Sequence, residues 1–163
     1  MLPGIDLRLD NLVKAVEQVI LPALPDEQKL AREQARLVIG HLAMIKAQWK
    51  YALRFELKSL DAMLDLGRDL VAAIAPEQRA GLEAALRDSA TADRSDIDAV
   101  QQAIIRVGRE IDPIISGNDG RTPLTARCHE LILAYAQTQS LRERTWFVYN
   151  GQEPDLDEIP PLD

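Results

Sequence analysis

The chain has 163 residues and only one cysteine, Cys128. It can form no disulfide within itself, and a lone cysteine fits a reducing compartment. Aromatics are also scarce, at 4% of residues. Trp49, Tyr51 and Phe55 form one group, Trp146, Phe147 and Tyr149 another, and Tyr135 stands apart. No long apolar run exists. The strongest, Leu37 to Ile45, is interrupted by His41 and falls far short of the ~20 residues a membrane span needs. The opening MLPGIDLRLDN has neither the basic nor the apolar region of a secretion signal. These absences predict a soluble, cytoplasmic protein with no membrane contact.

Positive charge is in deficit as well. The net charge is −7, and five of the excess acids (Glu153, Asp155, Asp157, Glu158 and Asp163) lie in the last eleven residues. The body is therefore close to neutral and carries no basic footprint for nucleic acid. Internal repeats, sustained heptads and alternating strand patterns are missing too. TWFVY at 145–149 has β-propensity, but five residues cannot make a sheet alone.

What the chain does have is helix. The stretch from Asp26 to Asp65 contains no proline and one glycine, Gly40, and is filled with good helix formers. Asp26 reads as its N-cap, with Pro25 at the first helical position as the competing reading. Leu30, Leu37, Val38, His41, Leu42, Ile45, Trp49 and Ala52 follow one face, which predicts that this face is buried. The apolar pattern runs on to about Ile74. An unbroken helix over that range would be ~70 Å long at ~1.5 Å per residue, too long for one compact domain of this size. The segment must break, near Tyr51–Phe55 or near Ser59, or reach into a second subunit.

Around it the pattern predicts a helix over 7–21 ended by Pro22, and a surface helix from Pro76 to about Ser89. A helix with a clean stripe of Ile97, Val100, Ile104, Val107 and Ile111 follows, capped by Ser95 and weakened or ended by Pro113. Thr122 and Pro123 read as the start of a last helix, with Cys128 on its apolar stripe and residues 141–149 continuing it or adding a short one. The expectation is an all-α, up-and-down bundle of five to seven helices. One helical domain would cover 1–152, and an irregular, acidic, proline-containing tail 153–163.

No residue set announces chemistry. His41, between Leu37 and Ile45, reads as a core or interface histidine. As a general base it would need a carboxylate such as Glu33. Neither histidine follows a glutamate at the spacing of bundle di-iron sites, and His129-Glu130 lacks the second histidine of a zinc protease. No metal or cofactor is expected. Cys128 and His129 are neighbours, but they point ~100° apart on a helix and make no pair by themselves. The loop from Gly117 to Thr122 could hold an anion at a helix start, against the plainer reading of a capped turn. If the chain end folds over the long helix, Trp49, Arg54, Phe55, Arg144 and Trp146 would gather into a pocket for a small acidic or aromatic ligand. The plainer reading is that they close the core.

The run ILPALPDEQKLAREQARLVIGHLAMI, with WKYALRFEL after it, resembles a type of small, uncharacterised, all-helical bacterial protein. Such proteins are sometimes encoded near aminoglycoside-phosphotransferase-like kinases and acyl-CoA dehydrogenases. The likeness covers roughly residues 12–60. It implies a helical cytoplasmic protein and brings no catalytic residues. Three functions stay open: a helical accessory or interaction protein forming a homodimer or binding a protein partner, a ligand-binding bundle, and an enzyme using His41 as its base.

Overall fold

The computed structural model describes residues 3–117, 124–148 and 159–160. Among these residues the chain is all-α, with six helices of 11 to 22 residues and no strand. Two compact units divide it, residues 1–51 with 143–163, and residues 52–142. The sequence reading expects one domain over 1–152, and its boundary at the acidic tail lies outside the described residues. No helix among the described residues is long and apolar enough to cross a membrane.

In the first unit, α1 (Ile5–Ala15) runs into a π-helical turn at Val16–Ile20 and then a short α2 (Leu21–Ala23). The wide turn has a local cause. Pro22 has no N–H, and its ring crowds the carbonyl four residues earlier, so the preceding backbone opens to an i→i+5 bond from Leu21 N–H to the Val16 carbonyl. Pro22 thus widens the helix without ending it. The chain turns over 24–28, and α3 spans Lys29–Gln48. Its N-cap is Gln28, without a side-chain bond, so the cap expected at Asp26 is not used. Asp26 instead pairs with Arg32 at 3.4 Å. Arg32 donates to the Leu24 carbonyl at 2.8 Å, and at 3.3 Å to the Leu21 carbonyl, which also accepts from Leu24 N–H.

The helices α1 and α3 run antiparallel, as their cross-links show. Lys46 reaches Asp10 at 2.6 Å and Lys50 reaches Asp6 at 2.5 Å. The Trp49 indole N–H donates to Asp6 at 2.9 Å. Trp49 and Lys50 are tied back to α1, and there the predicted long helix breaks. Residues 49–51 form a turn, and α4 begins at Ala52. The break falls at the edge of the range expected and needs neither proline nor glycine.

The second unit holds α4 (Ala52–Ala73), a 3₁₀ turn at Pro76–Gln78, α5 (Arg79–Ala90), α6 (Ile97–Ser116) and the first part of α7 (Ala126–Phe147). Leu60, Leu64, Leu70, Ile74, Leu82, Val100, Val107, Ile111 and Cys128 form its closed core. The α6 stripe points inward as its spacing predicts. The helix α5 is less superficial than its thin apolar face suggests, because Leu82, Ala85 and Ser89 are buried. Ser89 hides its hydroxyl by donating to the Ala103 carbonyl at 3.2 Å. Small residues allow this close approach: a Cβ on Gly67 of α4 would lie 2.7 Å from a Leu86 methyl on α5.

Helix boundaries differ from expectation at three caps. Asp96, not Ser95, caps α6, its carboxylate accepting from Asp98 N–H at 2.9 Å. Ser95 donates to Asp93 instead, through its hydroxyl at 2.7 Å and its backbone N–H at 2.9 Å. Pro113 does not end α6. It lies in the last turn, where one lost backbone bond is tolerated, and the helix stops at Gly117, whose φ of 68° suits glycine. Thr122 and Pro123 lie outside the described residues. Thr125 caps α7, its hydroxyl accepting from Cys128 N–H at 3.2 Å. The TWFV residues continue that helix as far as Phe147.

Candidate functional site

The face of α3 that the pattern marks as buried is mostly open. Leu37, Val38, His41, Ile45 and Trp49 are all exposed, and Leu30 is 71% exposed. The residues that turn inward are Ala35 and Gln48, with Leu42 half-buried. The reason is geometric. An amphipathic stripe says that one face seeks apolar cover, and not whether its own chain supplies that cover. Here α1 reaches α3 through Lys46, Trp49 and Lys50, and Leu30, Leu37, Val38 and Ile45 stay exposed.

Near its C-terminal end, α3 meets the end of α7. Gln48 donates through its side-chain amide to the Trp146 carbonyl at 2.6 Å and is itself buried. Beside this contact lies a cleft of about 660 Å³ lined by Glu33, Arg36, Leu37, Gly40, His41, Met44 and Phe147. Six of these residues sit at three- and four-residue spacings on α3, so one helix face makes most of the wall. Gly40 opens it, since a Cβ there would meet nothing within 4 Å.

This cleft contains both residues of the catalytic reading. His41 is exposed within it rather than packed in a core. Glu33 is eight residues away, ~12 Å along the axis at ~1.5 Å per residue, too far to hold the imidazole directly. The two share a wall and do not form a pair. Among the described residues no three histidine, cysteine or acidic side chains gather as metal ligands.

The proposed aromatic pocket is distributed differently. Trp49, Arg144 and Trp146 belong to the first unit, Arg54 and Phe55 to the second. None of the five lines the cleft, which takes Phe147 instead. Cys128 is buried in the second unit's core, as its position on an apolar stripe predicts. The anion-binding reading of the 117–122 loop falls largely outside the described residues.

Electrostatics at the α1–α3 contact are those of a surface clasp. The Asp6 carboxyl is held below its usual range, first by the hydrogen bond from Lys50 and then by that from Trp49. The Lys50 ammonium also lies 5.4 Å from the centre of the Trp49 ring, within cation–π range.

Comparison with protein-family models, curated proteins and solved structures finds no match for this chain. The resemblance of residues 12–60 to small helical bacterial proteins therefore assigns no family, and function has to be argued from the geometry.

Proposed function

We propose that this protein is a helical interaction protein that self-associates through α1 and α3 of its first unit. One observation carries the reading: apolar side chains are left uncovered there. Ile5 and Leu12 stand two turns apart on α1, and Val38 and Ile45 two turns apart on α3, all exposed. Val19, at 67% exposure, and Leu30 extend the surface. Apolar exposure on this scale marks an interaction surface in a folded protein.

A second copy is the partner whose chemistry fits. Residues 1–51 carry seven lysines and arginines against six acids, so two such surfaces meet without net repulsion. A two-helix hairpin cannot enclose an apolar interior, whereas two hairpins together supply the four helices of a bundle. Self-association here does not rest on an overlong helix, because that helix breaks at 49–51. It rests on the uncovered rows.

Light scattering across a concentration series tests the proposal. The native chain is expected to show the mass of two chains at micromolar concentration. Leu12→Glu with Val38→Glu is expected to give the mass of one chain with unchanged helicity. A single-chain mass for the native protein at every concentration overturns the reading, as does an undiminished dimer in the double variant.

A further inference from the structure

The cleft on α3 combines features that self-association through exposed apolar rows does not require. Its wall is apolar at Leu37, Gly40, Met44 and Phe147. Its volume of about 660 Å³ lies within the ~300–1,000 Å³ typical of small-molecule sites. Its polar groups are unengaged: Arg36, His41 and Glu33 make no hydrogen bond or ion pair with any described residue. Elsewhere the same i, i+3 spacing does close an ion pair, Asp65 with Arg68 at 2.6 Å and Arg127 with Glu130 at 3.3 Å. Glu33 and Arg36 share that spacing and remain apart. On α3 itself, Arg32 and Lys46 are committed to partners. Among the described residues the guanidinium of Arg36 is thus a free fork of donors at the edge of an apolar trough.

We infer that this cleft binds a small monocarboxylic acid with an apolar tail. The carboxylate is taken by Arg36 in the two-point geometry that guanidinium favours, with an N–H of His41 as a further donor. The tail lies along Leu37, Met44 and Phe147, in the space left by the missing side chain at Gly40. Glu33, one turn from Arg36, disfavours a second negative charge and so selects against dicarboxylates. No residue of the Ile5–Leu12 row on α1 lines the cleft, whereas Val38 and Ile45 of the self-association surface flank His41 on the same face of α3.

The test uses NMR titration of the isotope-labelled full chain with octanoate, and with 1-octanol as the uncharged counterpart. Octanoate is expected to shift amides of α3 around Gly40 together with Phe147, saturably, and to bind about tenfold more tightly than octanol, the usual weight of a charge-assisted hydrogen bond. Arg36→Gln should remove that preference while leaving octanol binding unchanged. Gly40→Leu fills the trough and should weaken both ligands, with helicity retained. Leu12→Glu alone, which lies on α1 and outside the cleft lining, should bind octanoate as the native chain does, which separates this site from self-association. Equal affinity for acid and alcohol, an Arg36→Gln variant that keeps the preference, or shifts centred away from Gly40 would each overturn the assignment.

Discussion

Leu70 and Leu30 sit on the apolar sides of helices of 22 and 20 residues, α4 and α3. Leu70 has no exposed surface; Leu30 is 71% exposed. The contrast extends to the two units. In the second, α4, α5, α6 and the start of α7 surround a shared interior, and nearly every stripe residue finds cover. In the first, α1 and α3 face each other along one side, and only Leu9 and Ala35 among their apolar residues are buried. Three or four helices close a core and two do not, whatever the quality of each stripe.

The comparison can be broken most forcefully in the cores. Leu70→Ala should destabilise the protein by about 2–5 kcal/mol in urea denaturation, because it removes a fully packed side chain and leaves a cavity. Leu30→Ala should change stability by less than about 0.5 kcal/mol under dissociating conditions. Similar losses for both would mean that Leu30 is covered and that the two units do not differ as described.

Glycine substitutions should differ in sign. Gly67→Ala puts a Cβ against Leu86 and should cost about 1 kcal/mol as that side chain is displaced. Gly40→Ala meets open space and should stabilise by about 0.5–1 kcal/mol through helix propensity. Thermal denaturation of the two variants reads the pair directly, and a loss at Gly40 would show the cleft to be tighter than it is here.

Ion pairs should matter least. Arg94 grips Asp61 with two bonds of 2.8 Å, but both side chains are about half exposed. The Asp61 carboxyl is held below its usual 3.8, first by the Arg94 hydrogen bond. A lowered carboxylate pKa stabilises the fold above the unfolded value, and that stability is lost as pH falls through the folded value. Asp61→Asn should cost at most about 1 kcal/mol near neutral pH, less at high salt, and should flatten the acid limb of the stability profile. In the first unit the Asp6 carboxyl is lowered too and obeys the same sign, which proton titration by NMR would register.

Much of this fold was legible in the residues. The stripes of α4 and α6, the buried Cys128 and the all-α class follow from spacing alone. A break in the long helix was required by length, although its place depended on the hold of Asp6 on Trp49 and Lys50, a contact between helices that no local pattern records. The cap of α6 falls one residue from the place expected, where Asp93, Ser95 and Asp96 offer several capping side chains close together. The larger error concerned α3. Its apolar face was visible, and its outward direction was not, since a stripe looks the same whether its cover is internal or external. The candidate site shares that fate: Glu33 and His41 stand out in the sequence, while Arg36, Gly40, Met44 and Phe147 need the helix end of α7 brought alongside.

Amide hydrogen exchange at two protein concentrations, one below and one above the association midpoint, tests the central claim most directly. If the first unit is completed by a second copy, protection in α1 and α3 rises with concentration while α4, α5 and α6 keep the same protection at both. Protection in α1 and α3 that is high and independent of concentration would contradict the account.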